Sequence, residues 1–167
     1  MAGRVQDGGG EGLACGNSGA GKTHLLWALG QELIRQRERP VYFSPCSLLV
    51  QELLVGKRDL KLSRVLKRLS KFDVVIIDDF GMRKLSSTEA QDLCELLEER
   101  SINKSTMFTT QLPIDHWSEV IADAVIADAI GERLEHSALP IHITGESKRG
   151  FKDRTLDPTK TNAYPYS

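Results

Sequence analysis

The chain has 167 residues, a net charge of −1, 40% hydrophobic side chains and 27% charged ones. That is enough for one domain burying roughly two-thirds of its unfolded surface, and too little for two. The balance excludes a disordered polyelectrolyte and a globally basic nucleic-acid binder, so any nucleic-acid contact has to be local.

Residues 1–12, with five glycines and almost no apolar side chains, read as a flexible leader. A short strand is expected at Leu13 to Cys15, then a glycine-rich loop, then a helix from Lys22 to Arg37 with Leu25, Leu29, Leu33 and Ile34 on one face. Val41 to Phe43 predicts a second strand, followed by helices over 45–55 and 59–71; in the latter Leu62, Val65, Leu66 and Leu69 follow the helical period. Val74 to Asp78 is the third strand. Ser87 to Arg100 is a helix opened by Ser86 or Ser87 with Glu89 in its first turn. A fourth strand at Thr106 to Thr110, helical segments over 115–121 and 124–136, and a fifth strand at Ile141 to Thr144 complete the folded part, 13–149. Residues 150–167 read as a disordered tail. Strands alternating with helices predict an α/β fold: a parallel five-stranded sheet flanked by helices.

The longest apolar stretches fall far short of the roughly 20 residues that span a bilayer, and no signal peptide opens the chain. No membrane association and a cytoplasmic location are therefore expected. Cys15, Cys46 and Cys94 are widely spaced and read as buried free thiols, and the four histidines show no metal-ligand spacing.

Gly16, Asn17, Ser18, Gly19, Ala20, Gly21, Lys22 and Thr23 match the phosphate-binding pattern G-x-x-x-x-G-K-[ST] in full. In such a loop the glycines let backbone N–H groups turn onto phosphates. Lys22 supplies a cation at the β- and γ-phosphates, Thr23 offers its hydroxyl to Mg²⁺, and the helix that follows points its positive end at the anion. The wholly apolar run Val74 to Ile77 suits a central strand that delivers Asp78 and Asp79 at its carboxyl end, where ligands bind in parallel sheets. Asp78 is expected to hold Mg²⁺ through water, and Asp79 to orient or deprotonate the attacking water. These two motifs together predict a P-loop ATPase with ATP and Mg²⁺ as its ligands.

Thr109, Thr110 and Gln111 close the fourth strand, where a polar side chain either faces a γ-phosphate or its attacking water, or simply caps the strand. Arg133 lies in a helix whose apolar residues pack inward while it points outward. Lys57, Lys61, Arg64, Arg68 and Lys71 form one stripe on a helix over 57–71, with Arg58 and Lys67 nearby and only Asp59 against them. That stripe is either a solvated outer face or a track for a phosphate backbone, with sequence-independent and salt-sensitive affinity.

On the segments GNSGAGKTHLLWALG, DVVIIDDFG, TTQLPIDHWSEVIADAVIADAIGERLEHSA and IHITGESKR, the chain resembles the IstB-like ATPases, helpers of insertion-sequence transposition. More distantly it resembles the DnaC helicase loaders of the AAA+ superfamily. The resemblance implies an AAA+ domain over 13–149 that lacks the helical domain usually preceding the P-loop. It implies that Asp78 and Asp79 are the Walker B acids, that Gln111, with Thr110, is the first sensor, that Arg133 is an arginine finger for a neighbouring subunit, and that Arg149 is a second sensor. It also implies homo-oligomers formed with ATP and DNA, and DNA contact through Lys57, Arg58, Lys61, Arg64, Lys67 and Arg68. The implied partner is a transposase, or in the alternative a replicative helicase. A truncated and inactive fragment is the remaining alternative.

Overall fold

The computed structural model describes residues 11–37, 39–100 and 104–143. In chain order the elements are β1 (Glu11–Gly16), α1 (Lys22–Arg37), β2 (Val41–Pro45), α2 (Cys46–Arg58), α3 (Leu62–Leu69), β3 (Val74–Phe80), α4 (Ser87–Arg100), β4 (Ser105–Thr110), a 3-10 helix (Ile114–Glu119), α5 (Ala124–Ser137) and β5 (Ala138–Ile143). The five strands form a wholly parallel sheet in the order β2-β3-β4-β1-β5. Glu11 and Gly12, assigned from the sequence to the leader, belong to β1, and residues 1–10 and the tail at 150–167 lie outside the described residues.

Alternation along the strands divides the core in two. On one face Ala14, Val74 and Ile76 pack with Leu26, Leu29 and Leu33 of α1. The apolar face of α1 is thus centred on Leu26. Leu25 and Ile34, expected on it, are 41% and 44% exposed, because the packed residues repeat at i, i+3 and i+7 from Leu26. On the other face Leu13, Val75, Ile77 and Phe108 pack against α2, α3, α4, the 3-10 helix and α5. β3 is buried on both faces over Val74 to Ile77, each side chain contributing about 1.5–3 kcal/mol.

Ser86 and Glu89 open α4 as a reciprocal capping box. The Ser86 amide donates to Glu89 Oε2 at 2.9 Å, and the Glu89 amide to Ser86 Oγ at 3.3 Å. At the other end of α4 the buried Arg100 donates to the Leu69, Phe72 and Ser105 carbonyls and to Thr106 Oγ1, tying the end of α3, the turn that follows it and β4 together. Burial presses its guanidinium pKa down to about 10. Trp117 of the 3-10 helix stacks on Phe80 with ring centroids 4.1 Å apart and donates from its indole to the Leu112 carbonyl at 3.2 Å. That anchor gives the Gln-Leu-Pro…His-Trp segment its structural role.

Of the cysteines, Cys46 is buried and its thiol pKa is pushed by burial up to about 12; Cys15 and Cys94 are only half-buried. Among the described residues no helix is long and apolar enough to cross a membrane.

A candidate nucleotide-binding site

Strand order brings the motifs together. β4 lies between β1, which leads into the glycine loop, and β3, which carries the two aspartates. The carboxyl ends of β1, β4 and β3 therefore stand side by side, and the loop, Asp78, Asp79 and the end of β4 meet at one edge of the sheet.

Gly16 closes β1 against Ile143 of β5, and a Cβ there would come within 2.3 Å of the Ile143 carbonyl oxygen; only glycine fits. Gly21 adopts a left-handed φ of 97°, and a Cβ built on it meets nothing within 4 Å, so the loop opens onto free space. Lys22, at the first position of α1, is 5% exposed and donates to the Gly16 and Asn17 carbonyls at 2.7 and 2.8 Å. The ammonium thus sits in the mouth of the loop. No acidic side chain occupies the first turn of α1, which leaves the helix's positive end to an anionic ligand.

Thr23 Oγ1 donates to Asp78 Oδ1 at 2.9 Å, and Asp78 is 6% exposed. A hydroxyl and a carboxylate converging beside a phosphate-binding loop are the hard oxygen donors that Mg²⁺ takes, with phosphates and water completing its shell. The residues present therefore fit Mg–ATP. Asp79 differs from its neighbour: it is exposed, lies on a bulge between Ile77 and Phe80, and has a left-handed φ of 55°, unusual for a side chain other than glycine. Thr109 links the two acids. Its fully buried hydroxyl donates to Asp78 Oδ1 and accepts from the Asp79 amide at 2.8 Å. A buried bond of this kind holds a strained residue in place. From the sequence Thr109 was expected to face the phosphate or the water, or to cap the strand; it faces the aspartates.

The Thr110 hydroxyl is buried and engaged with the Phe80 carbonyl at 2.9 Å and the Leu112 amide at 3.0 Å, so it secures the strand end. Gln111 is exposed, with its amide 3.3 Å from Met82 Sδ. Met82 lines a cavity of about 190 Å³ together with Pro45, Cys46, Ser47, Asp79, Gly81, Arg83 and Leu85, so Gln111 borders the Asp79 side of the site.

Arg133 does not point outward. Its side chain is 24% exposed, bonds Glu11 through Nε, and donates from Nη2 to the Leu97 carbonyl at 2.8 Å. Glu11 opens β1, so the pair lies at the strand end opposite the glycine loop. Arg149 lies outside the described residues.

The basic stripe is interrupted. Lys57 and Arg58 end α2, the chain turns at Leu60, and Lys61 precedes α3. Lys57 pairs with the buried Asp92 of α4 at 2.6 Å and Arg58 with Asp59 at 3.3 Å; Arg68 pairs with Glu52 and lies 5.5 Å above the Tyr42 ring. Among the described residues no ion pair engages Lys61, Arg64, Lys67 or Lys71. Arg64, Lys67, Arg68 and Lys71 line a groove of about 460 Å³ with Ser63.

These features define a P-loop nucleotide-binding protein of the AAA+ type. The IstB-like ATP binding protein family matches residues 13–155, and the chain belongs to it. A Sinorhizobium fredii protein bearing the name insertion sequence ATP-binding protein y4pL is 38% identical over 135 residues, covering 81% of this chain and 55% of that one. A Pseudomonas aeruginosa protein bearing the name insertion sequence IS21 ATP-binding protein is 34% identical over 155 residues, 93% of this chain and 58% of that one. The chain thus spans little more than half the length of the curated relatives it matches. In fold it is similar to the crystal structure of the DnaC helicase loader, with a TM-score of 0.71 and 17% identity over 85% of this chain and 82% of that one. It is also similar to DnaI, with a TM-score of 0.68 and 29% identity over 83% and 73%.

Proposed function

We propose that this chain binds Mg–ATP in the glycine loop and hydrolyses it, acting in the cytoplasm as a DNA-associated helper of an insertion-sequence transposase. The observation that carries the nucleotide site is the Thr23–Asp78 hydrogen bond beside the Lys22 ammonium, which unites the two motifs at one sheet edge. In this reading Lys22 exchanges its carbonyl partners for β- and γ-phosphate oxygens. Thr23 and Asp78 hold Mg²⁺, whose charge there offsets that of the phosphate oxygens. Asp79, exposed and held by Thr109, orients the attacking water, and Gln111 reads the γ-phosphate from the far side of Met82.

The helper role rests on the family and on the basic groove of α3, which offers cations to a phosphate backbone. Subunits assemble on DNA with ATP between them, and Arg133 of one subunit, released from Glu11, completes the site of the next. Assembly-dependent hydrolysis should then rise with duplex DNA and with protein concentration. A flat response to both contradicts the helper role while leaving nucleotide binding untouched.

The likeness to DnaI at 29% identity supports a second reading, a loader that hands a replicative helicase to DNA. Co-purification from cells decides between them, a transposase favouring the first and a helicase the second. A third reading is a protein that binds no nucleotide. It is tested by thermal unfolding, because ATP at a hundred times its dissociation constant adds about 2.7 kcal/mol of stability.

A further inference from the structure

The two most exposed large apolar side chains among the described residues are Leu60, at 95%, and Val125, at 78%, and they stand at opposite ends of the helical layer. α2 packs over β2 and β3, α5 packs over β1 and β5, and α4 lies between the two helices. Each of these residues belongs to a larger surface that the fold leaves uncovered. Among the nine exposed large apolar side chains, four (Leu48, Leu54, Val55 and Leu60) fall on α2 and its closing turn, which concentrates the apolar surface there. Leu48 and Val55, two turns apart on one side of α2, join Gly56 and Val65 in lining a groove of about 420 Å³ between α2 and α3. Gly56 lets the two helices approach, since a Cβ there would lie 2.8 Å from Val65 Cγ2. Leu60 turns the chain between α2 and α3 with a left-handed φ of 57°, a conformation that strains a side chain.

The groove and the outer face of α5 are complementary in chemistry. Three charged residues line the groove. Glu52 is paired with Arg68 and Asp59 with Arg58, so Lys61 is left without an ion pair among the described residues. An occupant therefore needs an apolar ridge with a carboxylate beside it. α5 presents that combination: Val125, Asp128, Ala129, Glu132 and Glu135 are exposed on one face, while Ala127, Ile130 and Leu134 are buried beneath. Among the described residues no ion pair engages those three carboxylates. The exposed apolar face of α1, with Trp27 and Ile34, matches less well, because its carboxylate Glu32 is committed to Arg35. A helix that lays an apolar stripe into an apolar groove, with charges meeting at the rim, is a recurrent mode of recognition between proteins.

We propose that the outer face of α5 of one copy docks into the α2–α3 groove of a second copy, Val125 and Ala129 entering between Leu48, Val55 and Val65, with Asp128 and Glu132 at Lys61. Because ridge and groove lie at opposite ends of the layer, each pairing leaves one ridge and one groove free, and the contact propagates head to tail. The contact rests on the reading above in which subunits assemble, and it names the surfaces that join them. It leaves the groove of Arg64, Lys67, Arg68 and Lys71 open to phosphates, and it sets the helix that carries Arg133 against the neighbouring copy.

The test measures molecular mass by sedimentation over a concentration series of the whole chain with Mg–ATP, with and without a short DNA duplex. The wild type should grow past one subunit as its concentration rises. Val125→Asp and Leu48→Asp, both at exposed positions, should unfold within a few degrees of the wild type and weaken association about tenfold or more. Mixing the two variants should give a species of two subunits and nothing larger, because the first supplies an intact groove and the second an intact ridge. Lys61→Glu should also weaken association, and adding Glu132→Lys to the same chain should recover it, an outcome that misfolding does not produce. Undiminished association of both aspartate variants overturns the contact and leaves assembly standing, the groove then belonging to a different protein. Loss in one of those variants alone overturns it in favour of a symmetric pair through that surface. A wild type that stays single with and without DNA removes the assembly reading and the contact with it.

Discussion

Thr23 and Asp78, 55 positions apart in the chain, are joined by a hydrogen bond of 2.9 Å from hydroxyl to carboxylate. It spans the first turn of α1 and the end of β3; β1, which leads into α1, is not a neighbour of β3 in the sheet, because β4 stands between them. In the proposed chemistry these two side chains would hold Mg²⁺ beside the glycine loop, and the other proposed roles are arranged around this bond.

Asp78→Asn removes the negative charge from this position while keeping the shape. Turnover should fall on the order of a hundredfold, and the Mg²⁺ concentration giving half-maximal rate should rise. An ATPase titration with Mg²⁺ checks both, and an unchanged Mg²⁺ dependence would show that Asp78 does not hold the ion.

Thr109 is a positioning residue, since it touches the two aspartates and not the ligand. Thr109→Val leaves the Asp79 amide without its acceptor, at a cost of about 1–3 kcal/mol in stability. Turnover should fall about tenfold or more with little change in the dissociation constant for ATP, because Asp79 loses its orientation and Lys22 does not. Thr109→Ser keeps the hydroxyl and should restore the rate to within a few fold. If valine and serine behave alike, Thr109 contributes packing alone.

Arg133 is held within its own chain by Glu11 and the Leu97 carbonyl. Arg133→Ala should leave ATP affinity unchanged and abolish the part of hydrolysis that depends on assembly, a factor of about 10³ or more for a finger acting across subunits. Mixing Arg133→Ala with Lys22→Ala should recover activity, each subunit supplying what the other lacks. No recovery in the mixture would confine Arg133 to the structural pair seen with Glu11.

Glu89 offers a pH test of the fold. Its carboxyl pKa is lowered to about 2, first by the hydrogen bond from Arg83 and then by the bonds from Ser86, from the ordinary glutamate value of 4.5. A depressed carboxyl stabilises the folded state above the unfolded pKa, and that stability is lost as pH falls through the folded one. Glu89→Gln should therefore cost about 1–2 kcal/mol at pH 7. The difference from wild type should shrink as pH falls from about 4.5 to about 2. Thermal unfolding of both proteins across that range measures it, and a difference independent of pH would rule out the ion pair as its source.

The parts of this site legible in the sequence are those whose reasons are local. The glycine loop, the apolar run before Asp78 and the capping box that opens α4 at Ser87 depend on neighbours within a few residues, and their positions follow from composition and spacing. The turn at Leu60 is not legible, because a helical period reads smoothly through 57–71, whereas the chain turns there through a left-handed leucine that no propensity favours. Thr109 could not be separated from Thr110 by spacing, because which hydroxyl meets Asp78 depends on β4 lying between β1 and β3 and on the bulge at Asp79. Arg133 and Glu11 are 122 positions apart, and Lys57 and Asp92 belong to different helices. Pairings of that kind exist only once the sheet order is set.

ATP chemistry at the Lys22, Thr23 and Asp79 edge of the sheet underlies the proposed function. It is tested most directly by ATP binding and steady-state hydrolysis of the whole chain, in parallel with Lys22→Ala and Asp79→Asn, with and without Mg²⁺. The wild type should bind ATP and hydrolyse it only with Mg²⁺. Lys22→Ala should bind weakly, and Asp79→Asn should bind as the wild type does while turning over at least a hundredfold more slowly. Equal loss of binding in both variants, or hydrolysis that survives both, would contradict the division of roles at this site.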